Sequence, residues 1–150
     1  MSSEAFVYER PDYPKPHSVV GVDVTVLLSR DITDGHEITS QVGQKGSGPP
    51  PHSHPWDESF YVVSGAVEFV VNGKPTYATS GAFFHLPAGT VHGFTIQEDG
   101  TVMMEITGAG SQSSAMFQSI SEEVEPGQPT PDDVPKLVEI LGRYGADVHR

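Results

Sequence analysis

The chain has no cysteine, few basic residues and no long apolar run. Without cysteine it forms neither disulfides nor thiolate metal sites. Eight basic residues against twenty acidic ones give a formal net charge of −12, which opposes binding to nucleic acid and to anionic lipid. Apolar runs such as Phe60–Val63 are far too short to span a bilayer, and the polar N-terminus lacks the basic and apolar regions of a secretory signal. We therefore expect a soluble cytoplasmic protein with neither nucleic-acid nor membrane partners.

The composition favours one all-β domain that includes the whole chain, residues 1–150. Sixteen glycines and thirteen prolines are typical of a turn-rich protein, and 36% hydrophobic residues are enough for a sizeable core. Apolar and polar residues alternate between turn signals, of which Asn72-Gly73 is a strong hairpin signature. Many short strands favour a barrel or jelly roll. The predicted strands are 22–28, 36–42, 59–63, 66–71, 74–78, 82–86, 91–96 and 102–107.

The C-terminal part has a different character. Residues 121–130 are rich in proline and acidic residues and are predicted to be a linker. A helix over 131–144 follows, with Thr130 as its cap, Pro131 in its first position and Asp133 in the capping-box position. Its apolar stripe must pack on something, and we expect that to be the barrel rather than a partner protein. The stripe consists of Val134, Leu137, Val138 and Leu141.

Four residues on two separated segments indicate a mononuclear metal site: His52, His54, Glu58 and His92. Imidazole nitrogens with one carboxylate suit a divalent iron, manganese, cobalt, nickel, copper or zinc ion, and suit calcium poorly. In an extended chain the first three share one face. A straight strand would still separate His54 from Glu58 by roughly 13 Å, too far for one ion. We therefore expect a bend at Pro55, with His92 arriving from a second strand.

The segments from Gly46 to Gly65 and from Gly81 to Ile96 resemble the two signature motifs of the cupin superfamily. One position departs, since Ile96 stands where these motifs often have asparagine. The resemblance implies a cupin β-barrel over about residues 20–120 with a short C-terminal α-helix, one divalent transition metal per chain and a homodimer. For the dimer, we expect an edge strand or the aromatic arm 6–16 to cross to the neighbour. By the same resemblance the metal ligands are His52, His54, Glu58 and His92.

Function follows from the site and from a likeness of the chain to quercetinase-like cupins. That likeness implies a metal-dependent dioxygenase in which Glu58 takes the hydroxyl proton of a flavonol or related aromatic enol, and dioxygen then cleaves the ring. An oxygen-independent polyketide-type isomerase or cyclase, and a non-catalytic small-molecule-binding cupin, remain alternatives. Trp56 is either a lid or a packed corner. The predicted inward residues, which line a substrate pocket or simply fill the core, are Phe60, Val62, Phe69, Val71, Phe94, Ile96 and Met104.

Overall fold

The computed structural model describes residues 4–149, so that 1–3 and 150, the ends of the predicted domain, lie outside the described residues. Two short 3-10 turns lie at Arg10–Asp12 and Pro131–Asp133, and two helices, α1 (Ser113–Glu123) and α2 (Val134–Arg143), follow the tenth strand. The strands are, in chain order, β1 (His17–Val19), β2 (Val22–Leu28), β3 (Glu37–Gly43), β4 (His52–Ser53), β5 (Glu58–Ser64), β6 (Ala66–Val71), β7 (Lys74–Thr79), β8 (Phe83–Leu86), β9 (His92–Ile96), β10 (Thr101–Thr107) and β11 (Asp147–Val148).

The strands form two antiparallel sheets with their apolar faces turned to a common core. One sheet has the order β1-β2-β3-β10-β5-β8, and the other has the order β11-β4-β9-β6-β7. The ring of Phe60 from the first sheet lies 5.2 Å from that of Phe69 and 5.7 Å from that of Phe94, both in the second. This confirms the predicted all-β architecture. Neither helix in the described part of the chain is long and apolar enough to cross a membrane.

Every predicted strand is present, with ends that differ by one residue or less. The short strands β1, β4 and β11 were not predicted, because segments of two or three residues carry too little alternation to be recognised. On β10 the predicted direction of the side chains was wrong. Met103 is 1% exposed and points inward with Glu105, whereas Met104 lies on the outer face and does not line the cavity. Met103 and Met104 are adjacent and equally apolar, so the alternation alone does not show which of them faces inward. The burial of Glu105 also runs against the usual rule that acidic residues face solvent.

The barrel ends at Thr107, earlier than the predicted residue 120, and α1 occupies part of the interval that follows. The first three residues of the predicted linker, 121–123, therefore belong to a helix. The side chains of Met116, Phe117 and Ile120 lie on one face of α1 and are at most 9% exposed. Serines fill much of the rest of this helix, which is why its sequence resembles a loop.

The C-terminal helix lies where the sequence places it, and it packs on the protein itself. The Asp133 carboxylate accepts a hydrogen bond of 2.7 Å from the backbone N–H of Thr130, which stabilises the first turn. Leu137, Ile140 and Leu141 are buried on the inner side of α2, whereas Val138 is 38% exposed. The expected apolar stripe therefore faces the barrel, except for Val138 at its edge.

The N-terminal arm lies along the outer face of the first sheet of its own chain. The rings of Phe6, Tyr8 and Tyr13 form edge-to-face pairs with centroids 5.1 and 6.4 Å apart. These aromatic residues border a groove whose other walls are Leu27, Leu28 and Ile38. Phe6 nevertheless remains 48% exposed. The arm is therefore an apolar surface segment that covers only part of the sheet.

Candidate metal site

Three histidines converge where the second sheet meets the loop that leads to β5. His52 on β4 is the register partner of His92 on β9, and His54 follows β4 directly. One ring nitrogen from each of these three residues lies within 4.8 Å of those of the other two. The ring centroids of His52 and His92 are 4.4 Å apart, and those of His54 and His92 are 5.1 Å apart. Strand pairing thus brings together residues 40 positions apart in sequence.

Each of the three imidazoles is fixed through its Nδ1 atom by a backbone carbonyl. The Nδ1 of His52 lies 2.9 Å from the carbonyl oxygen of Pro50, that of His54 lies 2.9 Å from the oxygen of Trp56, and that of His92 lies 2.8 Å from the oxygen of Thr90. A carbonyl only accepts, so each Nδ1 must carry the proton and donate it. When the ring is neutral, its lone pair is then on Nε2, the tautomer needed for metal binding.

Glu58 begins β5 and adds a carboxylate to two of these rings. Its Oε1 atom lies 2.7 Å from Nε2 of His92 and 3.3 Å from Nε2 of His54. Two ligands bound at about 2.1 Å from one ion and at right angles to each other are roughly 3.0 Å apart, so these separations fit neighbouring ligands. The three histidines form the compact group, with Glu58 bordering it. The donor set therefore fits a divalent transition metal.

Burial and mutual contacts push the pKa values of these groups apart. Burial, together with the charge of His92, lowers the pKa of His52 to about 4, so this ring is neutral at pH 7. Burial would lower the pKa of His92 as well, but its contact with Glu58 outweighs burial and raises it. Burial alone would raise the pKa of Glu58, yet hydrogen bonds with Glu105, His54 and His92 hold it well below its usual range. Glu58 is therefore ionised beside the histidines.

A second buried carboxyl group, that of Glu105, lies beside Glu58 and was not predicted from the sequence. It is 2% exposed, and Thr39 donates a hydrogen bond of 2.9 Å to its Oε1 atom. Burial and the charge of Glu58 raise the pKa of Glu105 well above its usual range. The pair thus holds one ionised and one protonated carboxyl, which is the arrangement that acid-base chemistry uses. The only sequence signal was the alternation of β10, which does place Glu105 with Met103.

The loops around the site are constrained by packing. Trp56 is 1% exposed and stacks on the ring of His54, with centroids 4.5 Å apart and planes 9° apart, so it is a packed corner and not an open lid. Its Nε1 atom has no hydrogen-bond partner among the described residues. Gly48 has a φ of +141°, and a Cβ there would lie 2.0 Å from the carbonyl oxygen of Phe94. This glycine lets the proline-rich loop before His52 lie against β9.

The C-terminal strand β11 completes the support of β4. Asp147 and Val148 pair with Ser53 and His52, and the backbone N–H of His149 donates a 2.8 Å hydrogen bond to the carbonyl oxygen of Pro51. The imidazole of His149 also lies 2.8 Å from the Ser53 hydroxyl. The strand that carries His52 is therefore paired on both sides, by β9 and by β11.

A mostly apolar cavity of about 70 Å³ extends from the histidines toward the two helices. Of the predicted pocket residues, Phe60 and Phe94 line this cavity. Val62, Phe69 and Ile96 are buried in the core behind it and do not line it, and Val71 packs against that core. The helices supply walls that sequence reasoning did not include: Met116, Phe117, Ile120, Leu137 and Leu141.

Residues 39–107 match a family model described as a cupin domain. Among curated proteins, quercetin 2,3-dioxygenase from Bacillus subtilis is 30% identical over 83 residues, which cover 54% of this chain and 25% of that protein. The match thus spans about a quarter of the length of that relative.

Solved structures show the same architecture at low sequence identity. KdgF from Halomonas sp. has a TM-score of 0.67 at 19% identity, over 74% of this chain and 99% of that one. The polyketide cyclase RemF from Streptomyces resistomycificus has a TM-score of 0.59 at 20% identity, over 69% of this chain and 78% of that one. At such identities these likenesses show the fold alone.

Proposed function

This chain is a member of the cupin superfamily, and from its site we propose that it is a metal-dependent dioxygenase that acts on a flavonol or a related aromatic enol. One observation carries the proposal. Three imidazoles are each locked by a backbone carbonyl so that their Nε2 atoms converge beside an ionised carboxylate. The partial match to a quercetin dioxygenase supports the choice of reaction.

In this proposal His52, His54, Glu58 and His92 hold one divalent transition metal. When bound, such an ion supplies Lewis acidity toward a substrate oxygen and a redox partner for dioxygen. Glu58, which is ionised, accepts the hydroxyl proton of the substrate. The apolar walls, among them Phe60 and Phe94, hold the ring and exclude water.

A second candidate, an isomerase or cyclase that needs no oxygen, draws support from the pair of Glu58 and Glu105. One carboxylate that accepts a proton and one carboxylic acid that donates it are sufficient to move a proton from one atom of a substrate to another without any oxidant. Both side chains line the cavity. A cupin that only binds a small molecule has no need of such a pair, and is therefore the weaker alternative.

The test begins with elemental analysis of the purified full chain, for which we expect about one transition metal ion per chain. Oxygen consumption is then measured with a panel of aromatic enols that ranges from single-ring compounds to quercetin. We expect stoichiometric oxygen uptake with at least one of them, and none with the His52→Ala variant. Turnover of a panel compound under strict exclusion of oxygen would favour the isomerase, and metal-dependent thermal stabilisation by the compounds without any turnover would favour the binder.

We also propose a homodimer formed through the outer face of the first sheet. Tyr61, Phe83 and Ile106 on that face are 45%, 62% and 43% exposed, and strand register links them through β10, β5 and β8. Ile106 is the partner of Ile38, on which the aromatic arm lies. A continuous apolar face of this kind is unusual on a monomer, and a second copy presents the same uncharged surface in a self-complementary way.

A further inference from the structure

The cavity beside the candidate metal site is lined in part by the two helices α1 and α2, which we call the cap. Met116, Phe117 and Ile120 of α1 and Leu137 and Leu141 of α2 face the cavity, and all five are at most 9% exposed. His52, His54, Glu58 and His92 line the same cavity. A substrate bound to the ion therefore has its apolar body in contact with the cap.

The cap is fastened to the barrel at the start of α1. The buried carboxylate of Glu37, on β3, accepts hydrogen bonds of 2.8 Å from the Ser111 hydroxyl and 3.1 Å from the backbone N–H of Ser114. The Ser114 hydroxyl donates to the same carboxylate. Hydrogen bonds to a buried charge are stronger than those between neutral groups. The N-terminal end of α1 is thus held in place by the barrel itself.

The two helices are also fastened to each other and to the barrel at their far end. The Arg143 guanidinium donates two hydrogen bonds, of 2.7 and 2.8 Å, to the Glu123 carboxylate, joining α2 to α1. The Ser119 hydroxyl lies 2.5 Å from the Tyr144 hydroxyl. Beyond α2, β11 pairs with β4. A segment attached at its beginning, middle and end acts as a wall and not as a hinged lid.

The space between the cap and the histidines is small. Its volume is about 70 Å³. An apolar cavity of about 150 Å³ holds one benzene ring, and pockets for drug-sized ligands measure about 300–1,000 Å³. A single ring fits here if flexible side chains such as that of Met116 move aside. A flavonol, with a fused bicyclic system and a further phenyl ring, requires displacement of the helices.

We propose that the cap is a fixed wall that limits the substrate to a compact enol or hydroxyketone of about one ring, and that Phe117 is a residue that sets this limit. The inference rests on the proposed function, because it assumes that the substrate binds the ion through an enol oxygen. It narrows the proposed substrate class from flavonols and related aromatic enols to those enols that have about one ring.

The test uses two probes with the same chelating hydroxyketone and different sizes, the single-ring maltol and the three-ring 3-hydroxyflavone. The full chain is loaded with Co²⁺, whose visible absorption reports a change in ligands, and each probe is titrated into it. We expect maltol to bind at least about tenfold more tightly than 3-hydroxyflavone, a difference of about 1.4 kcal/mol. In Phe117→Ala the affinity for 3-hydroxyflavone should rise by about tenfold or more, with that for maltol little changed.

The matched control is Val138→Ala, a truncation on the exposed side of the same cap, which should leave both affinities as they are. Thermal melting establishes that each variant is folded, and the comparison of the two probes on the wild-type chain needs no variant at all. Equal affinities of the wild type for both probes would overturn the fixed wall while leaving the metal site in place. Failure of the chain to bind Co²⁺, or binding that His52→Ala does not weaken, would overturn the proposed function itself.

Discussion

Replacement of Glu58 by glutamine separates its two proposed roles, metal ligand and general base. The side chain is 4% exposed, and its Oε1 atom lies 2.7 Å from Nε2 of His92 and 3.3 Å from Nε2 of His54. Glutamine keeps this shape and one neutral oxygen donor, but it cannot accept a proton from the substrate. The three histidines remain locked by their own carbonyl partners, so they should still hold the ion with reduced affinity.

The expected loss of activity follows from the proton transfer alone. Removal of a positioned general base lowers the rate by about 10²–10⁴, which corresponds to about 2.7–5.4 kcal/mol in the activation free energy. Metal content should fall far less than activity. The assay is kcat/KM per bound metal ion, measured by oxygen consumption with the best substrate of the panel and normalised by elemental analysis.

The control is Glu68→Gln, the same change of charge at a partly buried residue of β6 that does not line the cavity. It should leave both metal content and activity unchanged. If the metal-loaded Glu58→Gln variant turns over at the wild-type rate, Glu58 is not the base. If metal and activity fall in the same proportion, its role is that of a ligand only.

Four further predictions concern the ligands, the backbone, the buried charge and the assembly. His52→Ala and His92→Ala should each lose most of the metal in elemental analysis and keep the wild-type circular dichroism spectrum, because the barrel core does not depend on the ion; unchanged metal content would refute the site. Gly48→Ala should lower the free energy of unfolding, measured by urea denaturation, by about 3 kcal/mol or more, because its Cβ would lie 2.0 Å from a carbonyl oxygen of β9. Gly142→Ala, with open space around the added methyl group on helix α2, should instead raise it by about 0.5–1 kcal/mol. The pKa of Glu105 is raised on folding, so the folded chain keeps a proton that the unfolded chain releases near pH 4.5. Above that pH the metal-free wild type should therefore lose stability relative to Glu105→Gln, by up to about 1.4 kcal/mol per pH unit. Stability profiles that run parallel for the two proteins would contradict this. Light scattering at micromolar concentration should give twice the chain mass of 16.1 kDa, and a monomer would rule out the proposed dimer.

The strands and the clustered histidines were predictable because each rests on a local pattern. Alternation of apolar residues marks a half-buried strand, and the spacing of His52, His54 and His92 is a chemical signature that tertiary packing does not alter. The direction of β10 was not predictable in the same way. Burial of the acidic side chain of Glu105 depends on its contact with Glu58, which lies 47 residues earlier on another strand, so that nothing in the local sequence indicates it.

Helix α1 was not predicted, for a related reason. Its sequence, rich in serine, has a weak intrinsic preference for helix. What stabilises it is tertiary, since its apolar residues cover the cavity and Glu37, far away in sequence, holds its first turn. The cavity volume, and with it any limit on substrate size, could not be derived from the barrel motifs, because part of the cavity wall belongs to the cap.

The C-terminal segment connects the cap directly to the candidate metal site. Leu141 of α2 and Val148 of β11 both line the cavity, and Val148 is at the same time the register partner of His52. A displacement of α2 large enough to admit a bulky substrate would pull on β11 and so on the strand that carries one of the histidines. Because β4 has only two residues and depends on its neighbours on both sides, that displacement would disturb the convergence of the Nε2 atoms. Enlargement of the cavity by truncating Phe117 leaves this connection intact, which is why side-chain truncation, and not removal of the C-terminal segment, is the appropriate way to test the size limit.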